Sequence, residues 1–187
     1  EGLTLSSTSL TVANGLTLTD GDIAVASGHG INYDAAASGG AAVNELLDHY
    51  EEGLFTPTLT AGSGSFTLES GSANGVYTKV GNLVNLQINI FTSAISSPSG
   101  NLNVGGFPFT SVQNNVDGGS SNYNGRTAGC LYVDLQASGE SGNFMALLIA
   151  NSTYAVIYNG EDNSNTGSAN LIDASTYISL GITYRTQ

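Results

Sequence analysis

The sequence predicts an all-β protein in three parts: a short-stranded β shaft, a short α-helical junction and an antiparallel β-sandwich knob of jelly-roll type. Only 10% of the 187 residues are charged and 25 are glycine, a composition that favours short strands joined by tight turns. Apolar and polar residues alternate over most of the chain, whereas residues 41–52 have helical spacing. These patterns place the shaft at 1–40, the junction at 41–57 and the knob at 58–187.

The shaft segment carries apolar residues in pairs at alternate positions. The pairs are Leu3/Leu5, Leu10/Val12, Leu16/Leu18 and Ile23/Val25. Turn signals, Asn14-Gly15 and Asp20-Gly21, lie between them. Each strand would bury only two side chains, which is too little to offset the entropy lost when the segment is ordered. We therefore expect several copies of the chain to wrap together here and share one core.

The junction segment AAVNELLDHYEE, residues 41–52, is predicted to be helical because its apolar residues follow the i, i+3, i+4, i+7 spacing of one helix face. These residues are Val43, Leu46, Leu47 and Tyr50. Gly53 is well placed to end such a helix, and Pro57 would prevent it from resuming. A helix this short is marginal in water, so this face is predicted to contact its copies in an oligomer.

The knob segment holds the strongest strand signals. The stretch from Val76 to Phe91 alternates on both sides of Gly81-Asn82, which predicts a β-hairpin. Further strands are predicted at GCLYVDLQA, NFMALLIA, YAVIY and YISLGITYRT. Strands at such intervals, with no helical period between them, predict an antiparallel sandwich or jelly roll. The single cysteine, Cys130, lies among alternating apolar residues and is predicted to be buried in a strand.

The charge balance limits the possible partners. The chain has 15 carboxylates against three basic residues, Lys79, Arg126 and Arg185. Nucleic-acid backbones and anionic membrane surfaces both require clusters of Lys and Arg, so neither is predicted as a partner. No apolar run approaches the ~20 residues that cross a bilayer, so membrane insertion is not predicted either. Neutral glycans and protein surfaces are the expected partners.

The sequence indicates no catalytic centre and no cofactor. Adjacent carboxylates on a strand point in different directions and do not form the acid/nucleophile pair of a glycosidase. The two histidines, His29 and His49, lie outside the knob and are poor candidates for a catalytic base. His29, Asp20 and Asp22 are weak candidates for a metal site on an oligomer axis. Turn formation is the stronger expectation for all three.

Two segments of the knob have the chemistry of a binding surface. One is GGSSNYNGR and the other follows YAVIY with NGEDNSNTGSAN. Tyr, Asn, Ser and Gly in exposed loops provide adaptable recognition, although the chain lacks tryptophan. The alternative is that these segments are merely the longest turns. The predicted contact residues are Tyr123, Asn124, Arg126, Tyr158 and Asn159.

Four motifs follow one another along the chain: LDHYEEGLFTPTL (47–59), YTKVGNLV (77–84), GFPFTS (106–111) and ISLGITY (178–184). Together they resemble the C-terminal region of tail fibres and related virion appendages of tailed bacteriophages. His49 and Leu54 depart from the family pattern, within the junction. The resemblance implies a homotrimer on the outside of the virion, joined to other virion proteins upstream of residue 1. It implies no catalytic or receptor-contacting residues.

The interpretation from sequence is therefore a trimeric, non-enzymatic virion fibre or appendage that displays its knob for attachment to a host-surface glycan or protein. Three alternatives stay open. One is a purely structural capsid or tail decoration without receptor binding, another is a polysaccharide depolymerase, and the third is a bacterial surface lectin.

Overall fold

The computed structural model describes residues 19, 23–25, 31–32, 46–47, 49–113, 126–134, 144–159 and 168–186. Within these ranges the chain forms ten β-strands and one short 3₁₀ helix, and it contains no α-helix. The strands are β1 (Ile31–Asn32), β2 (Leu46–Leu47), β3 (Tyr50–Phe55), β4 (Thr58–Leu68), β5 (Asn74–Val80), β6 (Leu83–Gly105), β7 (Thr127–Asp134), β8 (Phe144–Leu148), β9 (Tyr154–Asn159) and β10 (Tyr177–Arg185). The 3₁₀ helix is Ser168–Leu171. The all-β prediction is confirmed.

Eight of the strands belong to one antiparallel sheet that closes on itself. Its order is β10-β7-β8-β9-β6-β5-β3, with β4 also paired to β6. The 23-residue strand β6 closes the sheet, because its first part pairs with β10 and its last part, Leu102–Gly105, pairs with β9. The sequence predicted the two sheets of a jelly-roll sandwich, and these pairings instead link the strands into one sheet. Alternation identifies a strand but does not choose its partners.

The core lies inside the closed sheet and is built from alternate residues of its strands. On β6 and β10 the inward residues are Val84, Leu86, Ile88, Ile90, Ile178, Leu180, Ile182 and Tyr184, each at most 2% exposed. The residues between them, such as Asn85 and Gln87, point outward and are exposed. The period of two in the sequence therefore becomes an apolar inner face and a polar outer face.

The predicted hairpin is confirmed. In β5 and β6 Val80 pairs with Leu83, so only Gly81 and Asn82 form the turn. Gly81 has a φ of +56°, which a two-residue hairpin turn requires of its first central residue and which glycine adopts without steric cost.

The predicted helical junction is wrong where the structure describes it. Leu46–Leu47 pairs with β1 as a strand, and Tyr50–Phe55 pairs with β5 over six residues. A lone helix of this length gains few hydrogen bonds to offset its nucleation cost. Strand β3 instead gains a ladder of backbone hydrogen bonds along β5. Gly53 consequently lies inside a strand and does not end a helix. Val43 lies outside the described residues.

Two aromatic rings lie over glycines of the opposite strand and hold β3 against β5. Gly53 pairs with Tyr77, and Phe55 pairs with Gly75. A Cβ atom on Gly53 would lie 2.8 Å from the Tyr77 ring, and one on Gly75 would lie 2.5 Å from the Phe55 ring. Such coverage of a strand glycine by an aromatic side chain fixes the register of the pair.

The prediction that Cys130 is buried is also wrong, since it is exposed on β7. The strand alternates so that Leu131 and Val133 pack against the core, and Cys130 and Tyr132 point outward. Both sets of residues in GCLYVDL contain apolar members. The sequence alone therefore did not show which set faces inward.

Most of the predicted shaft lies outside the described residues, including Asp20, Asp22 and His29. Ile23 and Val25 are described; they are 62% and 54% exposed and belong to no strand. Their predicted partners are other copies of the chain. In the described ranges no helix is long and apolar enough to cross a membrane.

Candidate binding face

The outward side chains of β3, β5, β6, β10 and β7 form one continuous surface, here called the outer face. The strand registers place one residue of each strand in a row across it. That row reads Leu54, Val76, Gln87, Gly181 and Cys130. Along this row the residue is apolar at β3 and β5, an amide at β6, a glycine at β10 and a cysteine at β7.

The apolar end of the outer face is an exposed patch on β3, β5 and the start of β6. Its residues are Tyr50 (66% exposed), Leu54 (82%), Val76 (42%), Val80 (42%) and Leu83 (47%). Tyr50, Val80 and Leu83 are direct cross-strand neighbours, as are Leu54 and Val76. The exposed Glu52–Thr78 pair lies between these two groups on the same face. Exposed large apolar residues gathered on three adjacent strands are of the kind that marks contact sites. We call this set the apolar patch.

The polar end of the outer face contains a shallow groove of about 320 Å³. Its lining residues are Gln87, Ile88, Asn89, Cys130, Tyr132, Ser179, Leu180 and Gly181. None of these side chains is charged. Uncharged amides and a hydroxyl therefore surround a gap at Gly181, where a Cβ atom would meet nothing within 4 Å.

Two tyrosines form a wall beside this groove. The rings of Tyr132 and Tyr177 lie with centroids 6.4 Å apart at 57°. The Tyr177 hydroxyl donates a hydrogen bond of 2.6 Å to Asn89 Oδ1. That bond fixes the orientation of the Asn89 carboxamide, because its oxygen is the acceptor and its Nδ2 group is left as a donor. Tyr132 is 59% exposed, so its ring face is available to a ligand.

A second depression of about 240 Å³ lies further along β10 and includes two of the three basic residues. Its lining residues are Leu83, Val112, Arg126, Thr127, Thr183, Tyr184 and Arg185. The third basic residue, Lys79, lies with Nζ 5.5 Å from the centroid of the Phe109 ring, a cation–π distance. Two of the three positive charges of the chain therefore lie beside this second depression.

The five predicted contact residues do not form one site in the part of the chain that the structure describes. Tyr123 and Asn124 lie outside that part, and Arg126 lines the second depression. Tyr158 and Asn159 are the last residues of β9 and line neither depression. Among the described residues, no cluster of three His, Cys, Asp or Glu side chains offers a metal site.

None of the groove residues was predicted from the sequence as a contact residue. One signal was present: VNLQINI places amides at alternate positions of an otherwise apolar strand, namely Asn85, Gln87 and Asn89. The groove residues on β7 and β10 had no such signal in the sequence. Tyr132 and Ser179 are distant in sequence and meet only through the register of β7 with β10.

Comparison with solved structures relates this fold to a tailspike protein. The similar structure is that of the Dettilon tailspike protein, with a TM-score of 0.55 and 26% sequence identity over 74% of this chain. The match covers 24% of the tailspike chain, so the present chain spans about a quarter of its length. No protein-family model matches the sequence, and no curated protein does.

Proposed function

We propose that this chain is part of a phage tail appendage, a fibre or spike, that assembles as a homotrimer and attaches to the host surface. The observation that carries the proposal is the likeness to a tailspike protein over 74% of the chain at 26% identity. The four ordered motifs that resemble virion appendages support the same role. The location implied is the outside of the virion, in contact with other virion proteins.

The apolar patch supports self-association. Leu54 is 82% and Tyr50 66% exposed in the single chain, and covering such side chains contributes about 25 cal/mol per Å² of apolar surface. Tyr50 was predicted as a subunit contact within a helix. As part of β3 it takes the same role on a sheet face, next to Val80 and Leu83. We infer that copies of the chain meet through this patch.

Attachment without catalysis is the proposed activity. The groove offers amides, a hydroxyl and a tyrosine wall, which bind a ligand by hydrogen bonds and stacking. Glycoside hydrolysis uses a pair of carboxyl groups about 5–10 Å apart on either side of the bond that breaks. The groove lining supplies no carboxyl group.

The homotrimer is tested by measuring the mass of the native particle with light scattering. Three chains of 19.0 kDa give about 57 kDa. Replacing both Leu54 and Leu83 with serine should shift the particle toward monomer, whereas the matched change Met145→Ser, at a 50% exposed residue of β8, should not. A wild-type mass of one chain at all concentrations would contradict the trimer. Dissociation in EDTA would assign metal binding to the trimer and direct attention to His29, Asp20 and Asp22.

Attachment is tested separately, with the chain labelled at its amino terminus and incubated with a panel of bacterial strains. Saturable adsorption to some strains and not to others is the expected result. A stable trimer that adsorbs to none of the strains from the virus's own habitat would support the purely structural decoration instead. Release of reducing sugar from the cells that adsorb it would support the depolymerase.

A further inference from the structure

We propose that the groove between β6, β10 and β7 is a binding site for an uncharged oligosaccharide. This proposal rests on the attachment role above and names the surface and the ligand class for it. None of the residues that line the groove was predicted as a contact residue. The groove lies on the outer face beside the apolar patch.

The shape of the groove depends on Gly181. This glycine pairs with Gln87 of β6 on one side and with Cys130 of β7 on the other. Its φ is not positive, and an added Cβ would meet nothing within 4 Å. Neither backbone geometry nor packing therefore requires a glycine here. A glycine inside a strand weakens it and often marks a bulge, a bend or a place where a ligand approaches the backbone closely. The registers of β10 with β6 and with β7 run through Gly181 without a bulge.

The tyrosine wall provides a stacking surface for a sugar ring. Tyr132 presents an exposed ring, and Tyr177 supports it at a centroid distance of 6.4 Å. Tyrosine combines an apolar ring with a polar tip, and sugars combine apolar C–H faces with hydroxyl edges. Because tyrosine has few rotatable bonds and Tyr177 is held by Asn89, little conformational entropy is lost when a ligand stacks on this wall.

The polarity of the groove lining favours a neutral ligand. Gln87, Asn89 and Ser179 provide both donors and acceptors without charge, which matches sugar hydroxyls that also donate and accept. An anionic ligand would approach a chain of net charge −12 and find no cation in the lining. The lining holds no carboxylate for a cationic ligand, since Asp134 lies outside it, opposite Tyr177. The complementary ligand is therefore neutral.

The competing occupant is a second copy of the chain. Covering the groove with protein would bury the carboxamides of Gln87 and Asn89, which is costly unless every donor and acceptor finds a partner. The apolar patch offers the better subunit contact because four of its five side chains are aliphatic and the fifth, Tyr50, already donates its hydroxyl to Glu52. The reactivity of the Cys130 thiol distinguishes an open groove from one covered by a second chain, because Cys130 is the single cysteine of the chain and is exposed in the groove.

The experiment is titration calorimetry of the native protein with neutral gluco-, manno-, galacto- and N-acetylglucosamine oligosaccharides, and with an oligogalacturonate as the acidic control. At least one neutral oligosaccharide should bind. Tyr132→Ala, which removes the stacking face, and Gly181→Leu, whose Cβ meets nothing within 4 Å and whose side chain occupies the gap, should each weaken binding at least tenfold. Tyr154→Ala, at a 40% exposed tyrosine of β9 outside the groove, should change the affinity less than twofold.

A covalent test uses Cys130 without any substitution. The thiol should react with Ellman's reagent in the native assembly, and prior alkylation with N-ethylmaleimide should abolish oligosaccharide binding. A thiol that stays unreactive until the protein unfolds would show that another chain covers the groove and would overturn the proposal. So would wild-type protein that binds none of the neutral oligosaccharides, or that binds only the oligogalacturonate.

Cell adsorption distinguishes failure of the groove from failure of the attachment role. If wild-type protein, Tyr132→Ala and Gly181→Leu adsorb equally to the same cells, attachment is correct and the groove is the wrong surface. If the groove variants lose oligosaccharide binding while even wild-type protein adsorbs to no cells, the groove is correct and the attachment role is wrong.

Discussion

Replacing Gly75 with alanine tests how the aromatic–glycine pairs hold β3 against β5. The new Cβ would lie 2.5 Å from the Phe55 ring, so the ring has to move. Phe55 meets Phe107 edge-on, with centroids 6.5 Å apart and an angle of 78°. Losing that contact costs about 0.5–1.5 kcal/mol, and overpacking adds roughly 1–3 kcal/mol. Alanine in a strand regains about 0.5–1 kcal/mol relative to glycine. We expect a net loss of about 2 kcal/mol in the free energy of unfolding.

The same substitution in a Phe55→Ala background should have the opposite sign. With the ring absent, Gly75→Ala keeps only the strand-propensity gain and should stabilise the protein by about 0.5–1 kcal/mol. The coupling energy between the two positions is then roughly 2–3 kcal/mol. Urea unfolding followed by circular dichroism measures each variant at one fixed chain concentration, since the apparent stability of an oligomer depends on concentration.

The matched control is Gly181→Ala, in a strand where an added Cβ meets nothing within 4 Å. It should be neutral or slightly stabilising in both backgrounds. Equal destabilisation by Gly75→Ala with and without the Phe55 ring would refute the reasoning. The backbone of β5, and not the ring, would then be what excludes a side chain.

Two further predictions concern buried hydrogen bonds. Tyr184 donates to the Phe109 carbonyl at 2.8 Å, and burial raises its pKa to about 12. Below pH 10 the Tyr184 phenol is protonated in both the folded and the unfolded chain, so its contribution to the free energy of unfolding is fully present. Above pH 10 the unfolded chain loses this proton first, and the free energy of unfolding should fall by about 1–2 kcal/mol toward pH 12. Tyr184→Phe should lack this part of the alkaline loss in urea titrations at pH 9 and pH 11. Thr92→Val removes the acceptor of the Thr176 amide, a buried bond of 2.9 Å, and should cost about 1–3 kcal/mol by thermal unfolding; an unchanged midpoint would mean that another group satisfies that amide.

The local elements of the knob were predictable because their signals are local. The two-residue turn at Gly81-Asn82 needs only a residue that tolerates positive φ, and the inner face of β6 needs only alternation in VNLQINI. The junction failed for the opposite reason. AAVNELLDHYEE satisfies a helical period, but its helix would be marginal, and the ladder with β5 together with the Phe55 and Tyr77 rings favours the strand. Phe55 belongs to β3 itself, but the residues of β5, Tyr77 among them, lie more than twenty residues further along the chain than Glu52.

The sequence by itself determined that the chain is β-rich, where most knob strands lie, which side chains of β6 face inward, and that few cations are available to attract an anionic partner. These properties depend on residue type and on spacing within a few residues. Only the tertiary structure decided that β6 closes the sheet, that Cys130 faces outward, and that Asn89, Tyr132 and Gly181 share one groove. Those features depend on which strands pair and in which register. The pairing is set by cooperative burial of the whole core, so it cannot be predicted from any short segment.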